Sequence, residues 1–131
     1  MIPRETIQKI LEMAVYAPSG DNSQPWRFEV EGNVIRIFNL PEKDNPISNV
    51  NQSGSYVAHG GLIENIVIAA RHLGYMPSVK LFPDRQNMDV TAEIFFESGT
   101  PQSELLYDAI LKRCTNRRPY FDTRLSDTER E

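Results

Sequence analysis

The chain has 131 residues, a net charge of −4, one cysteine and 40% hydrophobic residues, which suffices for one domain with a buried core. One cysteine excludes an internal disulfide, and no apolar run reaches the ~18 residues that a membrane helix needs, so we expect a cytoplasmic protein without a membrane segment. The charge disfavours general nucleic-acid binding, but residues 112–131 carry 6 basic and 4 acidic side chains, an excess of +2 that favours an anionic partner there.

The first third of the chain predicts a helix, a polar loop and a hairpin. Apolar residues at helical spacing indicate a helix from Pro3 to about Tyr16. Residues 17–25 are mostly small and polar and form a loop. Apolar and polar residues then alternate over 26–38 and reverse at Gly32-Asn33, which is typical of a β-hairpin.

The middle of the chain predicts one buried helix. A polar stretch over 39–54 precedes residues 55–73, whose apolar residues are too continuous for a surface helix. Gly74 suits the C-terminal end of this helix. A helix so apolar also predicts a partner, because a lone monomer would leave an apolar face in water.

Two strands and a last helix complete the predicted fold, which is α+β with an antiparallel-rich sheet packed by helices. The strands are predicted at 79–82 and 90–96. Thr100-Pro101 opens a helix whose apolar face comprises Leu105, Leu106, Ala109 and Ile110.

The last residues predict another helix start. Ser126-Asp127-Thr128-Glu129 matches a capping box, with Leu125 before it as a candidate hydrophobic staple. Only two residues follow, so we expect the chain to be cut from a longer polypeptide.

Several catalytic signatures are absent from the sequence, namely GxGxxG, the Walker loop, GxSxG and HExxH. His59 and His72 lie roughly 20 Å apart along the predicted helix, cannot share a metal, and are interpreted as structural histidines. Cys114 has basic neighbours but no histidine partner, and is interpreted as a semi-buried thiol. We therefore predict neither a metal site nor a catalytic triad.

Two polar segments are candidates for binding. Residues 19–26 crowd hydroxyls and amides that could read the edge of a planar heterocycle, although residue chemistry alone favours a turn that satisfies its own backbone. Residues 112–118 hold four cations, which either complement the dipole of the preceding helix or bind a phosphate. A nucleotide or nucleic-acid partner for the basic segment is ranked last, because its surroundings are acidic.

Taken together, these segments resemble the FMN-dependent nitroreductase family. Residues 10–28 look like its first helix and APSxxNxQPW loop, residues 61–75 are similar to the helix at its dimer core, and residues 113–121 look like its RxSxRxF phosphate motif. In ordinary members the arginine motif precedes the loop, whereas here it follows. The resemblance is therefore to the tandem, dormancy-associated type, with residues 1–111 as a half-domain of partial fold and residues 112–131 opening a second half.

The resemblance implies roles for particular residues. Arg113, Thr115 and Arg117 would hold the FMN phosphate and ribityl chain. The flavin of the paired half would be lined by Ser19, Gly20, Asn22 and Gln24.

The implied reaction passes hydride from NAD(P)H through FMN to a small-molecule acceptor, a nitro compound or a quinone, without a catalytic side chain. The partner would be a second copy in a homodimer or the second half of the same chain. The alternative is a module that sequesters flavin without turnover.

Overall fold

The computed structural model describes residues 1–103 and 105–130. It shows a four-stranded antiparallel sheet packed by helices. The α+β fold is confirmed. In chain order the helices and strands are α1 (Arg4–Ala14), β1 (Trp26–Glu31), β2 (Val34–Asn39), α2 (Ser53–His72), β3 (Tyr75–Leu81), β4 (Val90–Ser98) and α3 (Tyr107–Lys112). The strand order is β1-β2-β4-β3, and short 3-10 helices occur at Gly20–Asn22, Pro41–Lys43, Val50–Gln52 and Asp127–Glu129.

The predicted hairpin is confirmed. β1 and β2 pair antiparallel and turn at Gly32, whose φ of +56° is accessible to glycine without steric cost. The alternation of β2 turns Ile35 and Ile37 toward the core, where both are fully buried and pair with Ile94 and Ala92 of β4. One face of the sheet thus supports the helices.

Helix α2 lies at the centre of the molecule. Its Leu62 and Ile66 are fully buried in one cluster with residues of α1 and the sheet. Gly74 follows the helix at a φ of +86°, as the sequence predicted for its end. The helix begins at Ser53, and it is not buried all round, because Val57 is 77% exposed.

Strand β3 begins at Tyr75, earlier than predicted, and runs through Pro77. Proline is tolerated there because β3 is an edge strand, so the missing N–H need not serve a neighbour.

The helix predicted from Thr100 is wrong in its start and in part of its face. α3 begins at Tyr107, and Leu105 and Leu106 are exposed. The physical reason is that the segment before α3 is hydrogen-bonded to the end of α2: the Gln102 N–H donates to the Arg71 carbonyl at 3.0 Å. The same carbonyl also accepts the Gly74 N–H at 3.1 Å, so the segment before α3 is held at the C-terminal end of α2. Glu104, within the predicted helix, lies outside the described residues.

The capping box is confirmed: the Ser126 N–H donates to Glu129 Oε2 at 2.9 Å. Leu125, the candidate staple, is exposed. Among the helices of residues 1–103 and 105–130, none is both long and apolar enough to span a bilayer.

Helix α3 should depend on one buried side chain, because six residues are too few for an independent helix. Ile110 is 6% exposed and Leu111 is 53% exposed. We expect Ile110→Ala to lower the free energy of unfolding by about 2–4 kcal/mol through the cavity that it leaves. Leu111→Ala, the matched control, should change it by less than about 0.5 kcal/mol. Urea unfolding measures both changes in free energy. Equal effects would contradict the assignment of Ile110 to the face of α3 that packs against the core.

Candidate functional site

The loop between α1 and β1 holds an unusual backbone. Asp21, Asn22 and Gln24 have φ values of 48°, 56° and 49°, in the left-handed region. Such conformations cost non-glycine residues about 1–3 kcal/mol each and cluster where a ligand is bound. The surrounding fold therefore maintains this loop against its local preference.

Hydrogen bonds close the loop on itself. The Gln24 N–H donates to Ser19 Oγ at 3.0 Å, and the Asn22 N–H donates to the Ser19 carbonyl at 3.1 Å. Both Ser19 bonds are those of a turn that satisfies its own backbone. The Asn22 and Gln24 side chains contact each other at 3.5 Å and are exposed, so their amides remain available to a ligand.

The cationic segment reaches the start of this loop from the other end of the chain. α3 ends at Lys112, and Arg113 Nη2 then donates to the Tyr16 carbonyl at 3.2 Å. Residues 113–118 are exposed. Among the described parts of the chain, the ion pairs do not involve Arg113 or Arg117, so both guanidinium charges are available to an anion.

A cavity of about 240 Å³ lies where the two segments meet. Of the predicted binding residues, it brings together Ser19, Asn22, Arg113, Thr115 and Arg117; its other lining residues are Val15, Tyr16, Ala17 and Pro18. Gly20 and Gln24 do not line it. Gly20 lies against Asp44, whose Oδ1 would be 3.5 Å from a Cβ at Gly20.

The chemistry of this cavity suits an oxyanion. Two guanidinium groups supply charged forks, and hydroxyl and amide groups add neutral donors. The volume is below the roughly 300–1,000 Å³ of pockets that enclose a whole drug-sized ligand. The residues therefore fit the phosphate end of a nucleotide such as FMN, with the rest of the ligand lying outside this cavity.

A larger cavity of about 830 Å³ lies between α1 and the hairpin. Apolar side chains such as Ile7 and Leu11 line much of it, and none of the predicted site residues does. Of these two cavities, only the smaller one is lined by predicted site residues.

The two histidines have structural roles, as predicted. His59 is buried between Thr91 of β4 and the Pro25 carbonyl, and Trp26 packs edge-on against its ring, with centroids 6.1 Å apart. His72 is exposed and stacks on Tyr107 at a centroid distance of 3.8 Å. No group of three or more histidine, cysteine or acidic residues is placed to hold a metal ion within 1–103 and 105–130.

The structure contradicts the predicted burial of Cys114. The thiol is exposed, not semi-buried, because the chain leaves α3 at Lys112 and runs along the surface. Its basic neighbours therefore lie in water beside it.

Sequence reasoning missed a buried polar network that orders the stretch before α2. Asn49 Nδ2 donates to Ser55 Oγ at 2.8 Å, and Ser55 Oγ donates to Asp44 Oδ2 at 3.2 Å. Asn39 Nδ2 donates to Gln52 Oε1 at 3.0 Å. The only signal was the density of asparagines over 39–54, which equally describes a plain loop.

Comparison with known proteins identifies this architecture. A family model described as "Putative TM nitroreductase" matches residues 2–74, more than half of the chain. "Putative NAD(P)H nitroreductase Rv3131" of Mycobacterium tuberculosis is 31% identical over 118 residues, which cover 88% of this chain and 34% of that protein. "Putative NAD(P)H nitroreductase YdgI" of Bacillus subtilis is 38% identical over 103 residues, covering 70% of this chain and 46% of that protein.

Solved structures agree on the fold. A protein of Desulfovibrio desulfuricans described as "a putative nitroreductase in complex with fmn" superposes with a TM-score of 0.61 at 22% identity, covering 90% of this chain and 81% of that one. The fold is that of a nitroreductase-like α+β protein. The chain belongs to the nitroreductase family, and it spans about a third of the length of the first curated relatives that it matches.

The buried His59 should make stability depend on pH. Burial lowers its pKa, against the opposing effect of the hydrogen bond to Pro25, so the unfolded chain takes up the proton first as pH falls. We expect the free energy of unfolding to decrease below about pH 6.5, with a slope of at most about 1.4 kcal/mol per pH unit from this group.

Urea unfolding between about pH 5 and pH 8 measures this dependence. His59→Gln should lose this part of the slope, and His72→Gln, an exposed control, should keep it. A slope unchanged by His59→Gln would contradict the assignment.

Proposed function

We propose that this chain forms part of an FMN-dependent oxidoreductase of the NAD(P)H nitroreductase type. The observation that carries the proposal is the meeting of Arg113, Thr115 and Arg117 with Ser19 and Asn22 at one cavity. These residues come from opposite ends of the chain, and the donors that they supply match the oxygens of a phosphate. The names of the relatives and the FMN complex of the structural neighbour support the same chemistry.

The proposed roles follow from this arrangement. Arg113 and Arg117 bind the FMN phosphate, with the Thr115 hydroxyl as a neutral donor, since guanidinium forks match phosphate geometry. The resemblance assigns Ser19, Gly20, Asn22 and Gln24 to the flavin of the paired half. Because Ser19 and Asn22 share the cavity with the arginines of the same chain, we propose that this loop contacts the remainder of the same flavin. When bound, FMN would take hydride from NAD(P)H and pass electrons to a nitro compound or a quinone-like acceptor. The protein binds and orients the reactants, and no acid-base side chain is required.

We further propose that the site is completed by a partner. Residues 112–130 are exposed, and Tyr120 and Phe121 are 94% and 93% exposed. Adjacent aromatic side chains in water favour burial against another surface. The surface of α2 around Gly60 is also open, since nothing lies within 4 Å of a Cβ placed there.

The order of the motifs favours one kind of partner. The arginine segment follows the loop and leads into the capping box at Ser126, so we propose that residues 1–111 form an N-terminal half-domain and residues 112–131 open a second. This is the tandem, dormancy-associated arrangement, in which the two halves take the place of a homodimer.

Arg117 should contribute to FMN affinity, and its neighbour Arg118 should not, because only Arg117 lines the 240 Å³ cavity. We expect Arg117→Ala to weaken FMN binding about 10- to 100-fold, the loss typical of hydrogen bonds to a charged group. Arg118→Ala removes the same charge from the surface and should change the dissociation constant by less than about threefold. Quenching of FMN fluorescence measures both. Equal effects of the two variants would indicate general electrostatic attraction of FMN and would contradict a specific site at Arg117.

Turnover distinguishes the enzyme from a flavin-sequestering module. Protein loaded with FMN should oxidise NADH or NADPH in the presence of a nitroaromatic or quinone acceptor, followed as loss of nicotinamide absorbance. Flavin-loaded protein that is inert with both nicotinamides and both acceptor classes would identify a sequestering module. Full-length protein, with both proposed halves present, that fails to take up FMN at all would exclude both functions.

A further inference from the structure

The side chain of His59 joins three separate elements at the base of the loop. It lies on α2 and is 2% exposed. Its Nδ1 is 2.8 Å from Thr91 Oγ1 on β4, and its Nε2 is 2.9 Å from the Pro25 carbonyl oxygen. Pro25 directly follows Gln24, the last left-handed residue of the loop. The imidazole therefore ties the end of the loop to the central helix.

The donors and acceptors fix the direction of these bonds. The Pro25 carbonyl only accepts, so Nε2 carries the hydrogen. Burial keeps the imidazole neutral, so Nδ1 accepts from the Thr91 hydroxyl, which has a second acceptor 3.1 Å away in the Ile37 carbonyl. Thr91 can therefore be satisfied without the histidine. Within residues 1–103 and 105–130, His59 supplies the only side-chain donor to the Pro25 carbonyl.

The Pro25 carbonyl is the point where the strained loop joins the sheet. It also accepts the Leu40 N–H at 3.0 Å, so the two bonds hold this peptide unit from two sides. On the loop side, the Gln24 N–H reaches back to Ser19 Oγ at 3.0 Å. The N–H of the same peptide unit, that of Trp26, donates to the Gln24 carbonyl at 2.8 Å. A rotation of this unit would therefore disturb Gln24, whose N–H bonds to Ser19 at the 240 Å³ cavity.

We propose that His59 is a positioning residue for the loop between α1 and β1. Its Nε2–H bond to Pro25 offsets the cost of the left-handed residues and holds Ser19 and Asn22 at the cavity beside Arg113 and Arg117. This inference rests on the proposed function insofar as the ligand is FMN. It concerns a residue that does not touch the ligand.

Three variants separate positioning from packing. In His59→Gln the longer amide keeps a donor near the Nε2 position, so the bond to Pro25 is retained. In His59→Asn the shorter amide stays near Nδ1 and Thr91 and cannot reach Pro25. Thr91→Val removes the other bond and leaves the histidine in place. Each variant perturbs the same buried cluster.

Amide hydrogen exchange and FMN affinity are measured on each variant, together with urea unfolding to correct for global stability. We expect His59→Asn to raise exchange at the Gln24 and Leu40 amides by about tenfold or more, and FMN binding to weaken by about tenfold. His59→Gln and Thr91→Val should stay within about threefold of the unsubstituted protein in both measurements after that correction.

Two results would overturn the inference. One is protection of the Gln24 amide in His59→Asn equal to that in Thr91→Val. The other is loss of FMN affinity in proportion to global stability in all three variants, which marks a packing role. If the unsubstituted protein binds no FMN, the proposed function fails, and the exchange measurements still decide whether His59 holds the loop.

Discussion

The packing of α2 against both α1 and the sheet is the interaction on which the rest of the structure depends. Leu62 and Ile66 are sealed in a single cluster with Ile10 and Ile35, and burying each such side chain contributes roughly 1.5–3 kcal/mol. The same helix carries His59 in its first half and His72 at its end. Through these two side chains it contacts the loop at Pro25 and the short helix α3 at Tyr107. One rigid element thus places both parts of the candidate anion site.

The core could be predicted from the sequence because the spacing of the apolar residues there matches the positions that the fold buries. The alternation in β2 and the continuous apolar run of α2 each leave one reasonable structure, and Gly74 marks the end of that helix. Leu105 and Leu106 were misassigned because local spacing cannot show that Gln102 is already engaged at the end of α2. That bond joins residues 31 positions apart, and no periodicity within a window of one helix contains it.

For the candidate site, only the chemistry of its ligand could be predicted from the sequence. Residue types in the two segments favoured an anion and a planar ligand, and the resemblance named FMN. Their meeting depends on the Arg113 bond to the Tyr16 carbonyl, across 97 positions of sequence. The exposure of Cys114 follows from the same surface path. Electrostatics reinforces the arrangement, because residues 1–111 carry 8 basic and 14 acidic side chains, so an anion is favoured only near the basic segment.

Pro77 has a consequence for the open edge of the sheet. It pairs with Phe96, whose N–H is directed to the Asn33 carbonyl on the opposite side of β4. Pro77 therefore presents its nitrogen outward, at the unpaired edge of β3. A strand from another molecule that aligned there would find a missing donor in the middle of the ladder. This edge is thus protected against strand-to-strand aggregation, a hazard that edge strands carry in any sheet protein.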